Sequence, residues 1–270
     1  VSPNYAREVM TSEFGEQLEG VLQSRREDFM GILNGVDYGL WKTTGNKYLA
    51  HDYCADDLRG KWLNQKALRR ELRLPDSGSR NPAIFASIGR LTWQKGTGLL
   101  MDSMRRWLPR NCDQFIILGS GDPTMENECC DLQDAFPDQV RACIGYDEPL
   151  AHRLEAAADF FVMPSLYEPC GLNQMYSLRY GSLPIVFSTG GLSDTVIDLN
   201  RHPRLGNGFT LKYKSYGSLV RSYGEAQSLK NNRQKLNRIR RRAMKADFNW
   251  EYQAKEYVKV YSEIQTGNIQ

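Results

Sequence analysis

From Pro82 onward the chain alternates short apolar runs with amphipathic stretches. Ala83 to Gly89 reads as a strand, and Gly98 to Leu108 as a helix with Leu100, Met104, Trp107 and Leu108 at helical spacing. Gln114 to Gly119 is the next strand, followed by a helix near Asn127 to Phe136 and a strand at Gln139 to Ile144. A helix at Ala151 to Ala157 leads into the apolar run Phe160–Met163, a helix from Gly171 to Tyr180 and a strand at Leu183–Phe187. Gly191 to Leu199 reads as helix, and Phe209 to Leu211 as a last edge strand. This repetition predicts an α/β fold, a doubly wound, Rossmann-like parallel sheet wrapped by helices on both faces.

The flanks lack that rhythm. In residues 1–36, Tyr5 to Phe14 suggests a short helix, and Asn34-Gly35 marks a tight turn or hinge. Residues 37–60 are rich in Tyr, Gly and Asp and read as loop. A basic helix from about Lys61 to Leu72 is ended by Pro75 and the cluster Asp76-Ser77-Gly78. Beyond Gly217 the chain is helical to Gln270, with a break at Phe248-Asn249-Trp250. The pattern thus divides the chain into 1–36, 37–245 and 246–270.

Composition narrows the function classes. The 270 residues are 41% hydrophobic and 25% charged with a net charge of +3, so no polycation is present and a nucleic-acid partner is not implied. No apolar run approaches the ~20 residues of a membrane span. Six cysteines without a CxxC pair suggest a reducing, intracellular compartment and no metal site. Val1 begins in mid-pattern, which reads as a fragment or a processed form.

Ligands of such sheets gather beyond the carboxyl ends of the strands, and four loops there carry informative chemistry. The first holds two cations, Arg90 and Lys95; the second is Gly119-Ser120-Gly121-Asp122, whose glycines allow close backbone approach. The third brings an aromatic, Tyr146. The fourth, Pro164 to Gln174, carries Glu168 just ahead of a helix whose first amides form an anion site. Cations for a diphosphate, an aromatic for a base and a carboxylate for a sugar make a nucleotide-sugar site. Each residue also has a plainer reading: solvated loop cations, an edge packing residue, an acid favoured by a helix dipole. Cys170 is a small residue beside the pocket rather than a nucleophile, because no His pairs with it by motif. The basic run Lys230 to Lys245 reads as a solvated helix face or, less simply, as a patch for an anionic partner.

With these loops assembled, the sequence resembles the bacterial glycogen synthase and plant starch synthase family, retaining glucosyltransferases of the GT-B fold. The resemblance rests on Val1-Ser2-Pro3 with Tyr5-Ala6-Arg7-Glu8, Gly31 to Asp37, Arg90-Leu91 with Gln94-Lys95-Gly96, and Gly119 to Pro123. It continues through Ile144-Gly145-Tyr146, Glu168-Pro169-Cys170-Gly171-Leu172, Arg179-Tyr180-Gly181, Thr189-Gly190-Gly191-Leu192 and Asp247 to Trp250. It implies transfer of glucose from ADP-glucose to the non-reducing end of an α-1,4-glucan, with no cofactor and no metal, in a bacterial cytoplasm or a plastid stroma. By resemblance Glu168, Arg90 and Lys95 are catalytic: the cations hold the departing diphosphate, and Glu168 steadies positive charge at the anomeric carbon. Gly119, Tyr146, Cys170, Gly171, Leu172, Asn173, Thr189, Gly190 and Gly191 would bind the sugar nucleotide, Tyr146 by stacking on adenine.

The resemblance also implies that only the carboxyl-terminal half of a GT-B enzyme is here. Residues 1–36 would close the amino-terminal domain and form the hinge, and 246–270 would cross back to it. The isolated chain is then expected to bind ADP-glucose but to be inactive alone; the alternative is a nucleotide-binding module or regulatory paralogue. Departures from the family pattern are Asn173 in place of Thr, Phe187-Ser188 in place of a basic pair, and the bulky Trp62-Leu63 in a helix.

Overall fold

The computed structural model describes residues 1–76 and 81–266. Six strands form one sheet: β1 (Ile84–Ile88), β2 (Gln114–Gly119), β3 (Val140–Ile144), β4 (Phe160–Met163), β5 (Leu183–Phe187) and β6 (Phe209–Leu211). Their order is β3-β2-β1-β4-β5-β6 and every pairing is parallel. This is the doubly wound Rossmann-like arrangement the apolar rhythm predicts. The chain reverses direction of winding between β1 and β4, so the carboxyl ends of those two strands frame the crevice.

Helices cover both faces. In chain order they are α1 (Pro3–Glu8), α2 (Glu19–Ser24), α3 (Arg59–Glu71), α4 (Thr97–Trp107), α5 (Pro123–Ala135) and α6 (Glu148–Ala157). There follow α7 (Asn173–Tyr180), α8 (Gly190–Thr195), α9 (Tyr216–Asn231), α10 (Arg233–Met244) and α11 (Trp250–Thr266). Side chains alternate across the sheet. Phe85, Phe115 and Phe160 point to the α4/α9 face, where the Phe85 ring lies 4.8 Å from Phe115 and 5.3 Å from Phe160. Ile84, Ile116 and Phe161 point to the α3/α6 face. In-register pairing of Phe85 with Phe115 and Phe160 stacks the rings across three strands, and each fully buried ring contributes about 1.5–3 kcal/mol.

Several helix ends differ from the sequence expectation, for local reasons. Helix α5 starts at Pro123 because Asp122 caps the Thr124 amide at 2.8 Å and Pro123 is preset for a first turn. Asp147 does the same for α6 through Leu150 at 2.8 Å. Helix α7 begins at Asn173 because Gly171 sits at φ +72. Helix α8 stops at Thr195, well before Leu199, and α1 stops at Glu8 rather than continuing to Phe14. The Ser77-Gly78 part of the expected helix stop and the last four residues of the tail lie outside the described residues.

Candidate active site

The carboxyl ends of β1 and β4 deliver the loops that carry Lys95 and Glu168, and backbone contacts lock the two together. The Leu166 amide donates to the Gln94 carbonyl at 2.9 Å, and Gln94 Nε2 donates to the Tyr167 carbonyl at 3.2 Å. Gly96 lies at φ +70 with its Cα against the Pro164 carbonyl, so that a Cβ there would come within 1.9 Å of the oxygen. No other residue type fits this crossing. Its product is the central contact of the site: Lys95 Nζ donates to Glu168 Oε2 at 2.6 Å, with 22% of the lysine side chain and 7% of the glutamate exposed. A cation and a carboxylate are thereby held together at the mouth of the crevice, each partly withdrawn from water.

A third loop, from β5 to α8, is interlocked with the same segment. Gly190 (φ +44) packs on the Glu168 carbonyl, where a Cβ would approach to 1.8 Å, and the Gly191 amide donates to that carbonyl at 3.1 Å. Gly191 itself packs against the Cys170 carbonyl. The expected binding residues Thr189, Gly190 and Gly191 thus lie directly behind Glu168. Asn173 donates through Nδ2 to the Ile88 carbonyl at 2.7 Å, tying the start of α7 to the end of β1. Cys170 is buried and burial raises its thiol pKa, which leaves it a protonated packing group rather than a thiolate. Gly119 carries the Gly89 carbonyl against its Cα, so backbone packing already requires glycine there.

Two expected residues stand apart from this cluster. Arg90 is exposed, with one 3.5 Å contact from Nη2 to Gln94 Oε1, and Tyr146 presents 89% of its surface to solvent at the end of β3. Arg90 lies on the loop that follows β1, whereas Tyr146 follows the edge strand β3, two strands away. Beneath Arg90 and Lys95 lies a cavity of about 50 Å³ reaching Pro164, Ser165 and Asn173. The buried Ser165 Oγ has no hydrogen-bond partner among the described residues, and a space of this size suits an ordered water.

The structure adds residues that the sequence pattern left without a role. Glu8, at the end of α1, accepts the Gly190 amide at 2.9 and 3.0 Å through its two oxygens and meets Thr189 Oγ1 at 3.4 Å. Asn4 binds Asp194 of α8 through its amide at 2.8 Å. The Tyr5 and Tyr167 hydroxyls are hydrogen-bonded, and Phe14 stacks on Tyr167 at 5.7 Å. The amino-terminal segment is therefore packed onto the loops that carry Glu168. Tyr5-Ala6-Arg7-Glu8 stood out as a motif, yet nothing local in the sequence tells a helix-ending glutamate which distant amide it will meet.

The family profile described as glycosyl transferases group 1 matches residues 70–245. The chain belongs to the group 1 glycosyltransferases. It is 42% identical over 265 residues to the glycogen synthase of Lacticaseibacillus casei, covering 98% of this chain and 54% of that protein. It is also 42% identical over 264 residues to the glycogen synthase of Thermosipho africanus, covering 97% and 54%. Among solved structures, the catalytic domain of starch synthase IV from Arabidopsis thaliana, bound to ADP and acarbose, superposes with a TM-score of 0.89 at 36% identity. That match covers 97% of this chain and 54% of the other. Anabaena HepE in complex with UDP-glucose matches at a TM-score of 0.67 and 18% identity, a likeness of fold alone. The chain spans about half the length of the curated relatives it matches.

Proposed function

We propose that this chain is the sugar-nucleotide-binding half of a retaining glucosyltransferase that moves glucose from ADP-glucose to the non-reducing end of an α-1,4-glucan. The observation that carries the reading is the Lys95–Glu168 pair at 2.6 Å, set at the carboxyl edge of the switch-point strands. In the free protein Glu168 holds Lys95 in place. When a diphosphate arrives, Lys95 and the exposed Arg90 supply the positive charge that its departure needs, and Glu168 faces the sugar. Fixed cations at the leaving group and a fixed carboxylate beside the anomeric carbon act on charge that develops only in the transition state. Tyr146 offers its exposed ring to the adenine, and the amides at Gly171 and Leu172, with Asn173 behind them, complete the phosphate side. No cofactor enters this scheme.

The second half of the cleft belongs to the same proposal. Helix α11 exposes Trp250, Tyr252, Val258, Tyr261 and Ile264, and Gln253 is its one buried residue. Leu18, Val21 and Met30 of the amino-terminal segment are also more than half exposed. These apolar surfaces suit an amino-terminal domain that closes over the sugar nucleotide and seats the glucan. A bacterial cytoplasm, or a plastid stroma by the starch synthase likeness, is the compartment this reading proposes; among the described residues no helix is long and apolar enough to cross a membrane.

A second reading, a nucleotide-binding module without catalysis of its own, is favoured by the solvent-facing Arg90 and Tyr146, which show one wall of a cleft rather than a closed site. Calorimetric titration of the chain with ADP and a radiolabelled glucose-transfer assay distinguish the two. Binding together with transfer by the protein carrying both halves supports the transferase. Binding without transfer in that protein supports the module. Absence of ADP binding refutes both.

A further inference from the structure

At the amino-terminal edge of the sheet, opposite the crevice, a separate cavity of about 250 Å³ opens between α3 and the α9–α10 junction. Six basic side chains line it, Arg59, Lys61, Lys230, Arg233, Arg240 and Arg241, against the carboxylates of Asp56 and Asp57. We propose that this cavity binds a small phosphate monoester of about monosaccharide size, independently of the sugar-nucleotide site.

The charge balance carries the argument. At the floor, Lys230 and Arg240 share one carboxylate, the fully buried Asp159, with Lys230 Nζ at 2.7 Å from both oxygens. Lys61 is buried and points inward: its Nζ donates to the carbonyls of Ala156 and Tyr180 at 3.0 Å and of Glu155 at 3.3 Å, and to Ser182 Oγ at 3.1 Å. At the rim, Arg59 is taken by Asp57 at 2.6 Å, and Asp56 is shared with Lys245 at 3.4 Å. Arg241 meets only the Ala55 carbonyl, and Arg233 has no hydrogen bond or ion pair among the described residues. The lining therefore holds an excess of positive charge in a concave, partly dry space, where an anion is attracted most strongly. Burial and Arg240 push the Lys61 pKa down against Asp159 and Glu155, which raise it, so the cavity's free charge lies chiefly on Arg233 and Arg241.

Helix geometry and size narrow the ligand. Leu58 and Arg59, at the start of α3, face the cavity, with Asp57 beside them. Asp57 already accepts the Arg59 amide at 3.0 Å, so the cavity's attraction rests on its side chains, and arginine forks match the oxygens of a phosphate. The volume is below the ~300–1,000 Å³ of sites for larger ligands, which suits a small ligand. Trp62 stands half-exposed in the lining, with Lys66 Nζ 4.0 Å over its ring, and offers an apolar face to a small ring attached to the phosphate. The basic run between Lys230 and Lys245 is thereby divided: Lys230, Arg233, Arg240 and Arg241 turn into the cavity, while Arg238 faces solvent.

The test is calorimetric titration of the protein saturated with ADP, using inorganic phosphate and a hexose 6-phosphate as probes. Saturable binding of the hexose phosphate is expected, weakened at least tenfold in the Arg233→Ala/Arg241→Ala double variant. Both arginines are exposed, so the melting temperature and ADP affinity of that variant should match the wild type. Trp62→Ala should weaken the hexose phosphate more than inorganic phosphate. Equal affinity for the two probes, both lost in the double variant, overturns the monoester and leaves a site for free phosphate. Absence of saturable binding, binding indifferent to the double variant, or binding abolished by ADP overturns the proposal.

Discussion

Replacing Glu168 by Gln separates the charge of this side chain from its shape. In the structure Glu168 is almost fully enclosed and shares Lys95 at 2.6 Å. Two unit charges about 4 Å apart attract by about 4 kcal/mol at the effective dielectric of a protein surface, but desolvation of the pair cancels most of that. The net value of a charge-assisted hydrogen bond is about 1.5–3 kcal/mol, and a glutamine oxygen keeps part of it. A stability loss of about 1–1.5 kcal/mol follows, which for a domain of this size lowers the melting temperature by roughly 2–5 °C. Lys95 is released rather than lost, so ADP affinity should stay within about threefold of wild type or rise. Transfer should fall by at least ~10², the cost of removing one preorganised charge from a transition state. Calorimetry with ADP and a glucose-transfer assay on the protein carrying both halves of the cleft supply the two numbers. Wild-type transfer by Glu168→Gln, or an ADP affinity reduced more than about tenfold, would refute the assignment.

Arg90→Ala and Lys95→Ala should each weaken ADP binding by roughly tenfold or more. Thermal melts should separate them: loss of exposed Arg90 leaves stability unchanged, whereas loss of Lys95 strands the buried Glu168 carboxylate and lowers the melting temperature. Gly190→Ala should abolish ADP binding or folding, because a Cβ would meet the Glu168 carbonyl at 1.8 Å at φ +44, while Gly98→Ala, with open space inside α4, should stabilise by about 0.5–1 kcal/mol; equal melts for the two variants would contradict the interlock. Glu155 is buried, both its oxygens are unpartnered among the described residues, and burial raises its pKa well above the usual carboxylate range. The folded state therefore keeps a proton that the unfolded chain sheds above about pH 4.5, and stability drains away as pH rises toward the folded pKa. Glu155→Gln should remove that loss, so its melting advantage over wild type should widen from pH 5 to pH 8; a constant gap would place a charged Glu155 in the fold.

The strands and the charged loop residues were legible because their signals are local. An apolar run of four to six residues between glycine-rich loops reads as a buried strand wherever it falls, and Arg90, Lys95, Tyr146 and Glu168 each follow one. The starts of α5 and α6 were as legible in principle, since Asp122-Pro123 and Asp147-Glu148-Pro149 are cap signals; the apolar spacing behind them begins later and drew the boundary inward. The glycines tell a different story. Gly119 was expected to allow close backbone approach and Gly190 and Gly191 to bind the sugar nucleotide, and Gly96 carried no role of its own, yet all four meet a carbonyl from another loop. That contact depends on which strand neighbours which, and the sequence pattern does not specify it. Glu8 is illegible for the same reason, 182 residues from the amide it caps.

Those carbonyl-on-glycine crossings bind the loops after β1, β2, β4 and β5 into a single unit, so none of the four can be exchanged alone without collapsing the others. The loop that presents Tyr146 is not part of the knot. Its aromatic ring lies open, and its neighbour Asp147 is occupied with starting α6. On the proposed function, the recognition surface is built in two grades of stiffness, a welded end at Lys95, Glu168 and Gly190 and an independent end at Tyr146. Grafting a different β3–α6 loop should retune which nucleobase is accepted while leaving the welded end as it is.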